Sequence, residues 1–301
     1  MAPLTVGGTH VLLVTPFLPN HTRDRDSLVS LIDHVIDAGA DGVIALGTTG
    51  EFFTLTTAER VEVMTDVLEI VAGRVAVTIG TGSDSTAEAV SLAQHAQQAG
   101  ADCVMVLPPF YFATSAAAQL AHFRTVARAV DISVMIYDGA DGITVDAPIV
   151  AALADELDNI HYVKMALPAP RRVTELRQLA PSVTVFAGDD VTLVNALRNG
   201  AAGSAIATGN FMAREVIALH SAASAGNWDK ATQLFAEGLL QGVAATANPK
   251  TQFIARIKAV LAAQGVIEHP TVRPPLTPLC EQEMADLLIT IDTLGLRSRG
   301  V

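Results

Sequence analysis

Apolar runs of five or six residues alternate with longer segments whose apolar positions recur every third or fourth residue, from the start of the chain to about residue 225. The runs fall at 10–14, 42–46, 75–79, 102–107, 133–137, 161–165, 183–187 and 203–207. They are short and flanked by helical segments, so each reads as a strand buried on both faces. Between them Leu28, Leu31, Ile32, Val35 and Ile36 share one helical face, as do Val61, Met64, Leu68 and Val71. Ala38-Gly39-Ala40-Asp41-Gly42-Val43 recurs as Ala99-Gly100-Ala101-Asp102-Cys103-Val104, and more loosely as Asn199-Gly200-Ala201-Ala202-Gly203-Ser204. In each copy the Gly sits where a helix must stop before the next strand.

Eight strand-helix units of roughly 28 residues with right-handed crossovers close into a (β/α)8 TIM barrel. The alternative, a doubly wound open sheet, predicts a Gly-rich loop after the first strand, and Thr15-Pro16-Phe17-Leu18-Pro19 is unlike one. Beyond residue 226 the pattern is purely helical: Phe253, Ile257, Val260 and Leu261 form one stripe, and Met284, Leu287, Leu288, Ile291 and Leu294 another. The chain therefore divides into a barrel over 1–225, carrying the active site, and a C-terminal helical extension over 226–301.

The sixth run, 161–165, carries one charge, Lys164, and a lysine in an apolar strand requires compensation. One explanation is a strand end whose amine snorkels to water. The other is amine chemistry: poor hydration lowers a lysine pKa from about 10.4 and frees the neutral amine to attack a ketone. Barrel active sites lie at the C-terminal strand ends, so the residues just past each run are the candidates for chemistry. The second run leads into Gly47-Thr48-Thr49-Gly50-Glu51, whose N–H groups and hydroxyls can hold a carboxylate; a plain turn with Glu51 capping the next helix is the alternative. Tyr137 ends the fifth run, one strand spacing of about 4.8 Å from the sixth, so its phenol and the Lys164 amine can reach one substrate carbon.

Half of the 301 residues are hydrophobic and 17% are charged, the balance of a globular protein. A net charge of -12 argues against nucleic acid or an anionic membrane as partner. With no basic segment before an N-terminal apolar stretch and no run of about 18 apolar residues, a cytoplasmic location is expected. Cys103 and Cys280 make neither a disulfide framework nor a metal spacing, and none of the eight histidines is paired in a metal-binding pattern. No metal and no other cofactor is expected.

Gly47-Thr48-Thr49-Gly50-Glu51, Tyr137 and Lys164, in this order and spacing, resemble the family of dihydrodipicolinate synthase and N-acetylneuraminate lyase. These are class I aldolases that form a Schiff base with pyruvate or another 2-oxo acid. The resemblance spans nearly the whole chain, including three helices after the barrel. It implies that Lys164 forms the imine, that Tyr137 moves protons at the substrate, and that Thr48 relays a proton while the Thr48-Thr49 turn binds the carboxylate. Pro108-Pro109-Phe110-Tyr111 resembles a loop in which a tyrosine of the neighbouring subunit completes the relay. That implies this role for Tyr111, and a homotetramer built as a dimer of dimers. Gly188-Asp189-Asp190 resembles a motif close to the substrate, with an N-cap as the alternative role for its acid. Ala205 matches a strand-eight position whose backbone faces the site.

The departures bear on the substrate. Where the synthases carry an Arg that grips the second substrate's carboxylate, this chain has Gly142, which removes a bidentate clamp; Arg171 and Arg172 are the candidates to replace it. Met165-Ala166 stands where synthases continue with Glu-Ala, Asp138 and Asp141 add negative charge near the site entrance, and Phe52-Phe53 resembles members acting on 2-keto-3-deoxy sugar acids. The expected function is a Schiff-base lyase on a 2-oxo acid, either a pyruvate-releasing aldolase or a 2-keto-3-deoxy sugar acid dehydratase. Two alternatives stay open: 4-hydroxy-tetrahydrodipicolinate synthase, and a barrel that binds 2-oxo acids without turnover.

Overall fold

A computed structural model of the chain describes residues 6–139 and 142–297. The eight apolar runs form strands β1 (Gly8–Leu12), β2 (Gly42–Ala45), β3 (Ala76–Gly80), β4 (Cys103–Val106), β5 (Ser133–Asp138), β6 (Ile160–Met165), β7 (Thr184–Ala187) and β8 (Gly203–Ile206). Each pairs in parallel with its sequence neighbours, and β1 closes on β8, giving the (β/α)8 barrel. β1 begins two residues earlier than the apolar pattern indicates. Gly8 and Thr9 pair with Gly203 and Ser204, whereas beyond Leu12 the Val14 N–H leaves the ladder and donates to Asn210 Oδ1 at 3.2 Å.

Helices α1 (Arg25–Asp37), α2 (Thr57–Val71), α3 (Thr86–Ala99), α4 (Ala116–Ala127), α5 (Ala147–Glu156), α6 (Arg171–Leu179), α7 (Leu193–Arg198) and α8 (Ala213–Ser224) cover the barrel. The repeated glycines end α1, α3 and α7 as the echo indicates: Gly39, Gly100 and Gly200 all adopt φ near +100°, a left-handed conformation open to Gly at little cost. Leu28, Leu31, Ile32 and Val35 are buried beneath α1. On α2 the buried face centres on Met64, Val67 and Val71; Val61 and Leu68 lie at its half-buried margin.

After the barrel, α9 (Trp228–Leu234) runs through one π-turn, Phe235–Leu239, into α10 (Leu240–Ala247), followed by α11 (Phe253–Ala263) and α12 (Glu281–Thr293). Val243, Ile257, Val260, Leu261, Leu287 and Ile291 belong to the same hydrophobic core as the barrel strands and their helices. None of the described helices is long and apolar enough to cross a membrane.

Candidate active site

Lys164 lies in the register that the strands impose, opposite Tyr137 on β5 and Phe186 on β7. Its side chain is 2% exposed, and Nζ stands 3.7 Å from the centre of the Tyr137 ring, itself 7% exposed. Amine and phenol are therefore stacked, the amine on the electron-rich ring face. Room for the lysine stem comes from Gly188, just past β7: a Cβ there would lie 2.9 Å from Lys164 Cγ and 3.1 Å from Cε.

The amine opens into a cavity of about 340 Å³ at the C-terminal mouth of the barrel. Thr48 and Thr49 form part of its wall. Their turn is closed by the Gly50 N–H donating to Gly47 O and the Glu51 N–H to Thr48 O, both at 3.0 Å, and Thr15 Oγ1 donates to Gly50 O at 2.7 Å. Leu46 (φ 58°) and Glu51 (φ 57°), one on each side of the turn, are both left-handed, a conformation that costs a non-glycine residue free energy and that surrounding packing must enforce.

Gly188 and Asp189 also reach the cavity. Asp189 Oδ1 accepts from the Thr192 N–H and Oγ1 at 2.8 and 2.7 Å, so it stabilises the start of α7 as well. Ala205 is fully enclosed in β8, beside His10 of β1, and the wall at that point is made by Ala207 and Thr208. Tyr111 lies apart from the rest: it is 89% exposed, its backbone N–H held by Asp84 Oδ1 at 2.7 Å, and it does not line its own chain's cavity.

Three readings of acidic and basic residues change. Glu51 does not cap α2, whose cap is Thr56 with Glu59; it is fully buried and ion-paired with Lys258 of α11. Asp138 is no entrance charge. It is fully buried, accepting from Arg172 Nη2 at 2.9 Å and from the Val145 N–H at 2.8 Å, while burial pushes its carboxyl above the usual range. That pair also engages Arg172, which donates to Val145 O at 3.1 Å, so Arg172 is not available as a carboxylate clamp. Arg171 is exposed on α6 and does not line the cavity. Gly142 has φ +88° with no atom within 4 Å of where a Cβ would sit, and Asp141 lies outside the described residues.

Sequence reasoning missed part of the wall. Val243 and Thr246 of α10, Lys250, and Phe253 and Ile257 of α11 close the cavity from the C-terminal helices. Asp190, which the sequence marks only as the last residue of Gly188-Asp189-Asp190, also lines it. It accepts from Thr208 N–H at 3.1 Å and from the Thr208 hydroxyl, and desolvation raises its carboxyl pKa, with nearby Lys164 opposing the shift.

An enclosed lysine amine against a tyrosine ring, at the catalytic end of a (β/α)8 barrel, is the arrangement of a class I, lysine Schiff-base lyase. The chain belongs to the dihydrodipicolinate synthetase family, whose model matches residues 5–293. It is 34% identical to a 4-hydroxy-tetrahydrodipicolinate synthase of Pelobacter propionicus over 294 residues, covering 96% of this chain and 99% of that one. The corresponding enzyme of Desulfotalea psychrophila is 32% identical over 293 residues, 96% of this chain and 97% of its own. Among solved structures, YagE, an E. coli K12 prophage protein of the dihydrodipicolinic acid synthase family determined with pyruvate, gives a TM-score of 0.91 at 32% identity, covering 97% of this chain and 99% of that one.

Proposed function

We propose that this protein cleaves or dehydrates a 2-keto-3-deoxy sugar acid through an imine on Lys164. The Lys164 amine attacks C2 of the 2-oxo acid and water leaves, placing an iminium where it accepts an electron pair. In the aldolase direction the C3–C4 bond breaks, its electrons pass into an enamine, and the C4 hydroxyl proton moves to Tyr137, with Thr48 as relay. In the dehydratase direction Tyr137 takes a C3 proton to give the enamine, whose electrons expel the C4 hydroxyl as water once that proton is returned to it, leaving a conjugated iminium that water releases from Lys164. The Thr48-Thr49 turn holds the C1 carboxylate with Gly188 and Asp189 beside it, and Ala205 supports that wall from within β8. Tyr111 of a neighbouring subunit completes the relay in a homotetramer. No metal or other cofactor takes part.

The single observation that carries the substrate reading is the state of the arginines: position 142 is Gly and Arg172 is held by buried Asp138. A bidentate grip on a second carboxylate is therefore lacking at both places. One observation favours the second reading, synthase activity. Lys250 places a cation in the cavity wall, and the Pelobacter and Desulfotalea relatives are synthases. Borohydride trapping with pyruvate, followed by peptide mass spectrometry, tests the imine: an adduct on Lys164 is expected, and its absence refutes the catalytic reading in favour of a 2-oxo acid binding barrel. A panel of 2-keto-3-deoxy acids, run beside pyruvate with aspartate semialdehyde, separates the remaining choices. Faster turnover of the semialdehyde overturns the sugar acid assignment.

A further inference from the structure

The turn carrying Thr48 and Thr49 is joined to the C-terminal helices by an ion pair with no solvent exposure on either side chain, Glu51 to Lys258. Glu51 Oε2 also accepts from the Arg273 N–H at 3.0 Å, and Lys258 Nζ donates to Thr271 O at 2.8 Å. The Phe17 ring faces both cations, with Lys258 Nζ 4.3 Å and the Arg273 guanidinium 4.4 Å from its centre. Arg273 in turn pairs with Glu59 of α2 at 2.8 Å. Every hydrogen-bonding group of the pair is thus directed inward, in an arrangement costly to break because it would leave one charge buried alone.

The location of the pair is the telling point. Glu51 is the left-handed residue immediately after the turn, and its carboxylate is drawn away from the cavity that the two threonines face. Lys258 comes directly after Ile257, which lines that cavity from α11. One contact thus fixes two walls, the threonine turn and the apolar roof, through two side chains that do not themselves line the cavity.

We propose that Glu51 and Lys258 are positioning residues for 2-oxo acid binding, holding the Thr48-Thr49 turn at the depth at which it can meet a carboxylate above Lys164. The proposal rests on the imine reading of the site and adds to it two residues that never contact substrate. Loosening the pair should weaken capture of the carboxylate while leaving the Lys164 amine and the Tyr137 ring in place, because those stand on β6 and β5. Effects on KM and on the maximal rate should therefore separate.

The experiment measures borohydride trapping rate against pyruvate concentration for the wild type, Glu51→Gln, Lys258→Met and the double variant. Each single variant is expected to raise the half-saturating pyruvate concentration about tenfold or more while changing the saturated trapping rate less than about threefold. The double variant should be no worse than either single one, since both remove the same contact. Arg124→Gln, which breaks a surface pair with Glu156, should leave half-saturation unchanged. If the single variants prove too unstable to isolate, the wild type carries the test. Burial and Arg273 push the Lys258 amine down to about 8, so half-saturation should rise as pH passes that value and Glu51 loses its partner. Folded Glu51→Gln with half-saturation within about twofold of wild type, or a flat wild-type pH profile across that range, overturns the positioning role. Absence of any adduct in the wild type instead defeats the imine reading, so the two failures are distinguishable.

Discussion

Replacing Gly188 with alanine places a methyl group 2.9 Å from Lys164 Cγ, 3.1 Å from its Cε and 3.0 Å from the Met165 carbonyl oxygen. The carbonyl cannot yield easily, because Met165 belongs to β6 and its oxygen accepts the Gly188 N–H at 2.7 Å. The lysine stem is the softer neighbour and should give way, moving Nζ off the Tyr137 ring. Forcing one extra methyl group into a packed interior costs about 1–3 kcal/mol. Felt wholly as displacement of the reacting amine, that is a fall of about 5- to 150-fold in trapping efficiency, at about 1.4 kcal/mol per factor of ten. The assay is the borohydride trapping rate at fixed pyruvate, with thermal unfolding measured beside it. A Gly188→Ala protein that traps pyruvate at the wild-type rate would show that Lys164 does not react from the position it occupies here.

Two further expectations concern a buried histidine and a displaced tyrosine. His10 is fully enclosed in the barrel, Nε2 3.1 Å from the Gly7 carbonyl and the ring edge-on to Phe186, and burial lowers its pKa from 6.5 to about 4. The folded state thus binds its proton less readily than the unfolded chain. Stability from this source is complete above pH 6.5 and is lost as pH falls toward 4. Urea unfolding should show wild type losing about 2 kcal/mol more than His10→Leu between pH 7 and pH 5, and equal losses would refute the burial effect. For Tyr111, mixing subunits of Lys164→Ala and Tyr111→Phe should restore up to about a quarter of wild-type activity if each site takes its tyrosine from a partner, since only mixed dimers hold one intact site. Activity no higher than the mean of the two parents would place that tyrosine outside the relay.

The barrel was legible because parallel strands buried on both faces leave apolar runs that no exposed element resembles. Lys164 was legible for the same reason, as a lone charge inside such a run. The start of β1 was not, since its extra pairs are with β8, some two hundred residues away. An amphipathic stripe such as Phe253 and Ile257 announces a buried face without naming what covers it, so the cavity roof could not be foreseen. Acidic residues near strand ends misled for a related reason. Asp138 meets Arg172 across 34 residues of sequence and Glu51 meets Lys258 across 207, and no local pattern encodes either encounter.

The geometry after β5 sharpens the substrate question. Asp138 is anchored from both sides by Arg172 and the Val145 N–H, and the Gly139 N–H donates to Ile143 O at 2.9 Å. Gly142 holds φ +88°, a conformation costing a side-chain-bearing residue about 1–2 kcal/mol, so an arginine introduced there would be strained even though space is open around it. Position 142 is therefore poorly suited to presenting a guanidinium fork. A carboxylate at the far end of the substrate would have to be met from another element, and among the described residues Lys250, a single-point ammonium, lines the cavity from outside the barrel. Such a group can interact with hydroxyls or one carboxylate oxygen but cannot reproduce bidentate selection, which favours an acceptor recognised by its hydroxyls over one that must be gripped as an amino acid.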